Sequence, residues 1–153
     1  MLDLTSLLRR LKLVPHPGSI ILVVEDKQAD QFVLKALLSR FDYEGLFVSS
    51  AEEALQILES TPVAALLLDI SLPGMSGYSC AREIRVRELK SNRRLPIIAV
   101  TARAEKEDRA ACIQAGFDDY LAKPFDPEEL RRILLRWTYS ADKPNLKLLR
   151  GQS

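Results

Sequence analysis

Residues 63–69 read Val-Ala-Ala-Leu-Leu-Leu-Asp, six apolar residues without a break, closed by a carboxylate. Strict alternation would mark a strand with one wet face. An unbroken run of this length instead marks a strand covered on both faces, as in a parallel sheet flanked by helices. The next stretch, Ser71-Leu72-Pro73-Gly74-Met75-Ser76-Gly77, is dense in turn formers and leads into a helix expected to reach about Leu89. Upstream, residues 19–24 (Ser-Ile-Ile-Leu-Val-Val) form a second buried strand, ending on Glu25 and Asp26. A helix over 28–41 follows, with Leu34, Leu37, Leu38 and Phe41 at helical spacing, then a short strand over 46–48. Ser50 with Glu53 is a capping-box signature for a helix running to about Glu59. Downstream, a strand over 96–100 ends on Thr101, and a helix over 105–115 has Gly116 where a C′ glycine belongs. A fifth strand over 119–122 ends on Lys123-Pro124. Asp126-Pro127-Glu128-Glu129 opens the last helix, with its apolar stripe at Leu130, Ile133, Leu134 and Trp137.

Five strands alternating with five helices predict an α/β fold, a doubly wound parallel sheet with right-handed crossovers. Ligands of such sheets collect at the carboxyl ends of the strands. Glu25, Asp26, Asp69, Thr101 and Lys123 all stand at or just past strand ends, so they are expected to converge. Taken singly, each is ordinary: an Asp after a strand is usually a cap or turn former, and a Lys-Pro is usually a solvated turn. The combination is harder to explain as capping. Gathered carboxylates repel; a pair at 4 Å costs about 4 kcal/mol at an effective dielectric near 20. They suit a hard divalent cation, and Mg²⁺ favours a few carboxylates completed by water and phosphate oxygens. One carboxylate can then act as a nucleophile toward phosphorus. A metal, an ammonium and a hydroxyl would stabilise the charge on the transferring group.

Residues 19–137 resemble the receiver domains of bacterial response regulators and hybrid histidine kinases. The resemblance rests on four motifs in the family's order: ILVVED, LLLDISLPGMSG, PIIAVTA and DDYLAKPF. It implies a flavodoxin-like (βα)5 sheet in the order 2-1-3-4-5. It also implies that Asp69 is the phosphoacceptor, and that Asp26, Asp69 and the backbone carbonyl of Ser71 bind Mg²⁺, with Glu25 acting through metal-bound water. Thr101 would hydrogen-bond a phosphoryl oxygen and Lys123 would pair with the phosphate. Tyr120 matches the aromatic switch position coupled to Thr101, and the Lys123-Pro124 bond should be cis. Glu25 stands where Asp is more common, and Asp42 where many members have a glycine ending the first helix; Asp can adopt αL, so the departure leaves function untouched. Ser71 and Arg103 occupy variable positions flanking the path of attacking water.

The implied partners are a histidine kinase or histidine phosphotransfer protein, docking beside Lys27, Asp30 and Gln31 on the first helix. An output protein would bind the face made by the fourth helix, fifth strand and fifth helix, where Lys106, Arg109, Arg131, Arg132 and Arg136 cluster; a homodimer could use the same face. The reading has residues 19–138 as the receiver domain, 1–18 as an N-terminal extension and 139–153 as a flexible C-terminal tail. In the extension, Leu4, Leu7, Leu8 and Leu11 share one helical face beside Arg9, Arg10 and Lys12, the pattern of a short amphipathic helix.

Bulk properties narrow the rest. At 153 residues, 47% hydrophobic and 28% charged, the chain can build one real core. A net charge of +1 gives no global field toward nucleic acid or acidic lipid, so neither is expected as a direct partner. No run is long enough to span a membrane and no signal peptide is evident, which predicts a cytoplasmic protein. Two cysteines, Cys80 and Cys112, and a single histidine argue against a disulfide framework or a Cys/His zinc site. His16 lies between two prolines, a poor setting for a phosphodonor, and no nucleotide-binding glycine loop occurs. The phosphodonor must therefore be another molecule, and the chain is expected to be a signalling switch rather than a classical enzyme. With only sixteen residues after Trp137, a single-domain regulator is expected. The alternatives are a receiver fragment of a hybrid kinase and a phosphate-independent pseudo-receiver. A dehalogenase-like phosphatase would need a second Asp two residues after Asp69, where Ser71 stands.

Overall fold

The computed structural model describes residues 20–102 and 106–140. The 1–18 extension, Ser19, Arg103 and the 141–153 part of the tail lie outside the described residues, as do the side chains of Lys106, Glu107, Asp108, Tyr139 and Ser140. Ten elements alternate: β1 Ile20–Val24, α1 Gln28–Arg40, β2 Glu44–Val48, α2 Ala51–Leu58, β3 Ala65–Asp69, α3 Gly77–Glu88, β4 Ile97–Thr101, α4 Lys106–Ala115, β5 Asp119–Ala122 and α5 Pro127–Ser140. All strand pairs are parallel, in the order β2-β1-β3-β4-β5. The expected architecture and strand order are the ones found.

The unbroken apolar run in β3 is explained by the pleat, which sends successive side chains to opposite faces. Leu66 and Leu68 join Leu22, Val24, Ile97 and Ala99 in the core under α2, α3 and α4. Ala65 and Leu67 join Ile21, Val23, Ile98 and Val100 in a second core under α1 and α5. All five β3 residues are buried, Asp69 included. Burying a leucine side chain contributes about 1.5–3 kcal/mol, so two such layers are the main support of the sheet.

The starts of β2, β3 and β4 differ from the sequence reading, β4 running from Ile97 to Thr101. β2 starts at Glu44, two residues before Leu46, and pairs Ile20 with Glu44 and Ile21 with Gly45. It is an edge strand, so its first residues are held by backbone bonds and carry little apolar signal. β3 starts at Ala65 and not Val63, with the Ala64 N–H donating to the Ile20 carbonyl at 2.7 Å.

Caps fall where their chemistry places them. Ser50 Oγ accepts from the Glu53 N–H at 3.2 Å, and Asp126 Oδ1 accepts from the Glu128 N–H at 3.1 Å, with Pro127 opening α5. Gly116 closes α4 with φ +101, and the Phe117 N–H returns to the Cys112 carbonyl at 3.0 Å. Asp42 ends the α1 turn with φ 65, the αL conformation expected for an Asp in a glycine's place.

At the N-terminal edge of the sheet, Asp118 is a charged anchor. Its side chain is 7% exposed and accepts from the Ile97 N–H at 2.9 Å, from Arg85 at 2.7 Å and from Arg94 at 2.7 Å. Arg85 also reaches the Gly116 and Leu95 carbonyls and Glu88, so one guanidinium joins α3, β4 and the end of α4.

α3 is packed tightly against the end of β3. A Cβ added at Gly77 would collide with the Asp69 carbonyl oxygen and lie 2.8 Å from Ile70 Cα, both backbone atoms that cannot turn aside. Gly77→Ala should therefore lower the unfolding free energy by about 2 kcal/mol, as overpacking does, measured by urea denaturation. Gly74→Ala tests the neighbouring turn for a different reason, strain at its φ of +75.

Candidate functional site

The parallel register brings the site together. Val24 is level with Leu68, Asp69 with Val100, and Thr101 with Ala122. Backbone bonds continue this row one step past the strands: Glu25 N–H to Val48 at 3.1 Å, Ile70 N–H to Val100 at 3.1 Å, and Lys123 N–H to Thr101 at 2.8 Å. Glu25, Asp69, Thr101 and Lys123 thus sit at one level along the C-terminal edge, with Asp26 one residue further out.

Glu25, Asp69 and Thr101 are 1%, 3% and 3% exposed, while Asp26 faces solvent. Glu25, Asp26 and Asp69 each place a carboxylate oxygen within 4.8 Å of the other two. This is a donor set of hard oxygens with one open side, which fits a small divalent cation that keeps part of its water shell. The Lys123 ammonium lies across the cluster. It donates to Asp30 Oδ2 at 2.9 Å, Glu25 Oε2 at 3.0 Å and Asp69 Oδ2 at 3.2 Å. The Ser71 N–H donates to Asp69 Oδ1 at 2.8 Å and the Lys27 N–H to Glu25 Oε1 at 3.1 Å, fixing both carboxylates.

The charges register this crowding. Burial, followed by the hydrogen bond and charge of Asp69, pushes the Glu25 carboxyl up from its ordinary 4.5, against the pull of Lys123. Burial alone would lower the Lys123 ammonium; its bonds to Asp30 and Glu25 and the charge of Asp69 outweigh that and raise it. Lys123 therefore stays charged throughout the physiological range.

The expected cluster of Glu25, Asp26, Asp69, Thr101 and Lys123 is found at one edge, and the Lys123–Pro124 bond is cis. Tyr120 lies on β5 one strand-face away, half-buried, with the Arg109 guanidinium 5.5 Å from its ring centroid. Ser71 is exposed, with its N–H on Asp69. Asp30, on the first helix as expected, is in addition a third carboxylate on Lys123. The signal was present: Asp30 is four residues after Asp26, in the first turn of α1, so the helix turns it back over the strand ends. Gln31, beside it, bonds the Glu25 carbonyl.

Comparison with known proteins points the same way. A profile of the response regulator receiver domain matches residues 21–135. The receiver domain of the sensor histidine kinase PA1611 from Pseudomonas aeruginosa PAO1, solved with a magnesium ion in its active site cleft, is 46% identical with a TM-score of 0.72, covering 79% of this chain and 98% of that one. A 14.6 kDa protein from Leptolyngbya boryana is 41% identical over 120 residues, 76% of this chain and 88% of its own length. The sensor histidine kinase GacS of Pseudomonas protegens is 33% identical over 77% of this chain, which spans only 13% of the kinase.

Removing the Lys123 ammonium would leave buried acids facing one another. Lys123→Ala should destabilise the metal-free protein by about 3 kcal/mol, the usual cost of stripping a buried charge of its partner. Millimolar divalent cation should recover part of that loss. Thermal unfolding in EDTA and then with added cation measures both effects.

Proposed function

This chain belongs to the response regulator receiver domain family, and from that premise we propose that it is a phosphoacceptor switch whose acceptor is Asp69. The observation that carries the reading is the Lys123 ammonium bonded to Asp69 beside two further carboxylates at one sheet edge. The cofactor is Mg²⁺; Asp26, Asp69 and the Ser71 carbonyl would hold it, with Glu25 acting through water. When bound, the ion offsets carboxylate repulsion and draws charge from the incoming phosphoryl oxygens.

A carboxylate oxygen of Asp69 attacks phosphorus in line with the leaving nitrogen of a phosphohistidine. The P–O bond forms as the P–N bond breaks, and the imidazole departs with the electron pair and takes a proton from solvent. Lys123 is already aimed at Asp69 and pairs with a phosphoryl oxygen, while Thr101 donates its hydroxyl to another. Return to the resting state is attack by water on phosphorus, releasing inorganic phosphate and regenerating the Asp69 carboxylate.

The added group carries about −1.5 to −2 charges and competes with Glu25 and Asp30 for Lys123. Thr101 moves toward the phosphoryl group, and Tyr120 follows as the switch on the face of α4, β5 and α5, where a downstream protein or a second copy binds. The donor is a histidine kinase or histidine phosphotransfer protein docking beside α1. Residues 19–138 form this working unit, flanked by the 1–18 extension and the 139–153 tail, in the cytoplasm. Among the described residues, no helix is long and apolar enough to cross a membrane. The chain spans 88% of the Leptolyngbya boryana relative and 13% of GacS.

Incubation with acetyl phosphate should give one phosphoryl adduct by intact mass, dependent on Mg²⁺ and removed by hydroxylamine. Asp69→Asn should give none. An adduct that persists in Asp69→Asn would overturn the assignment.

A further inference from the structure

The Lys123 ammonium has three N–H donors and meets three carboxylates, Asp30 Oδ2 at 2.9 Å, Glu25 Oε2 at 3.0 Å and Asp69 Oδ2 at 3.2 Å. It is fully subscribed before any phosphoryl group arrives, so a phosphoryl oxygen can pair with it only if one acid lets go. The three acids are not equally able to do so. Asp69 carries the arriving group itself. Glu25 is buried, and its other oxygen is fixed by the Lys27 N–H at 3.1 Å, so its release would strand a charge out of water. Asp30 differs on both counts. Its side chain is 27% exposed, and it lies outside the cluster in which Glu25, Asp26 and Asp69 could hold a cation. Among the described residues, Lys123 is its one side-chain partner.

We propose that Asp30 is a positioning residue of the phosphoryl site, the carboxylate that holds Lys123 at rest and yields it to the group on Asp69. This role rests on Asp69 being the phosphoacceptor, and it names the partner that is exchanged. The start of α1 keeps Asp30 in place. Gln31 bonds the Glu25 carbonyl through its side chain, and its N–H returns to the Lys27 carbonyl at 3.0 Å, fixing the first turn over the strand ends. The released carboxylate turns to solvent. As the third residue of α1 it remains favoured by the helix N-terminus, whose cap residue Lys27 makes no side-chain cap. Asp30 thereby sets what an anion at Asp69 must displace. With a carboxylate at position 30, pairing with Lys123 costs one ion pair; without it, the ammonium has an N–H to spare. The exchange also frees a negative charge on the first turn of α1, so the state of Asp69 reaches that helix.

Beryllium fluoride, a phosphoryl analogue, tests the exchange at saturating Mg²⁺. In wild type its binding should move the Asp30 carboxyl carbon signal, read by NMR, to the position of a solvated carboxylate. Asp30→Asn should bind the analogue about threefold more tightly, the scale of one partly exposed ion pair. Asp30→Glu, which restores the charge on a longer arm, should return toward wild type. The gain in Asp30→Asn should persist at high ionic strength, because a partly buried contact pair is screened much less than a diffuse field. Unchanged or weaker binding by Asp30→Asn would overturn the proposal, as would an Asp30 signal that stays in place when the analogue binds. A gain that disappears in salt would also overturn it, reducing Asp30 to one charge in a general field. If neither protein binds the analogue and neither is labelled by acetyl phosphate, the phosphoacceptor assignment itself fails, and this role with it.

Discussion

Three carboxylates, from Glu25, Asp30 and Asp69, share the single ammonium of Lys123, and the rest of the site is arranged around that sharing. Taking such charges out of water costs several kcal/mol per ion, repaid only where geometry is good and the remaining oxygens find donors. Here the donors are backbone amides at Lys27 and Ser71, which orient Glu25 and Asp69. The arrangement is satisfied and still electrostatically divided. Lys123 holds the acids, and the acids go on repelling one another. A charge arriving at Asp69, as proposed, would redistribute the partners of Lys123, the two-state behaviour a signalling element requires.

Burial distinguishes the roles within the cluster. Glu25 and Asp69 lie beneath the surface and Asp26 above it, so the open approach is from the side of Asp26. The opposite edge is built on another principle. Arg85, Arg94, Asp118 and Glu88 form a charge-matched network whose bonds run to backbone groups of β4, the turn before it and the end of α4. One edge of the sheet thus keeps a surplus of negative charge, and the other is neutralised and tied down.

Much of this was legible in the sequence because parallel strands end abruptly. The run 65–69 is buried on both faces, so its closing Asp69 stood out, as did Thr101 after Ile97–Val100 and Lys123 after Leu121–Ala122. Family motifs supplied the strand order and the assignment of roles, which spacing alone does not contain. The start of β2 was hidden because an edge strand is held by backbone bonds that leave no apolar trace at Glu44 and Gly45. The pairing of Asp30 with Lys123 was not legible because the two are 93 positions apart, and helical phase relative to the strand ends had to be known before it could be seen.

The row of backbone hydrogen bonds just beyond the strand ends joins Glu25 to β2, Ile70 to β4 and Lys123 to Thr101. Such bonds are indifferent to the side chains that hang from them. The frame that sets the spacing of the acids is therefore chemically separate from the acids themselves. Substitutions of these side chains leave the ruler that measures the site in place.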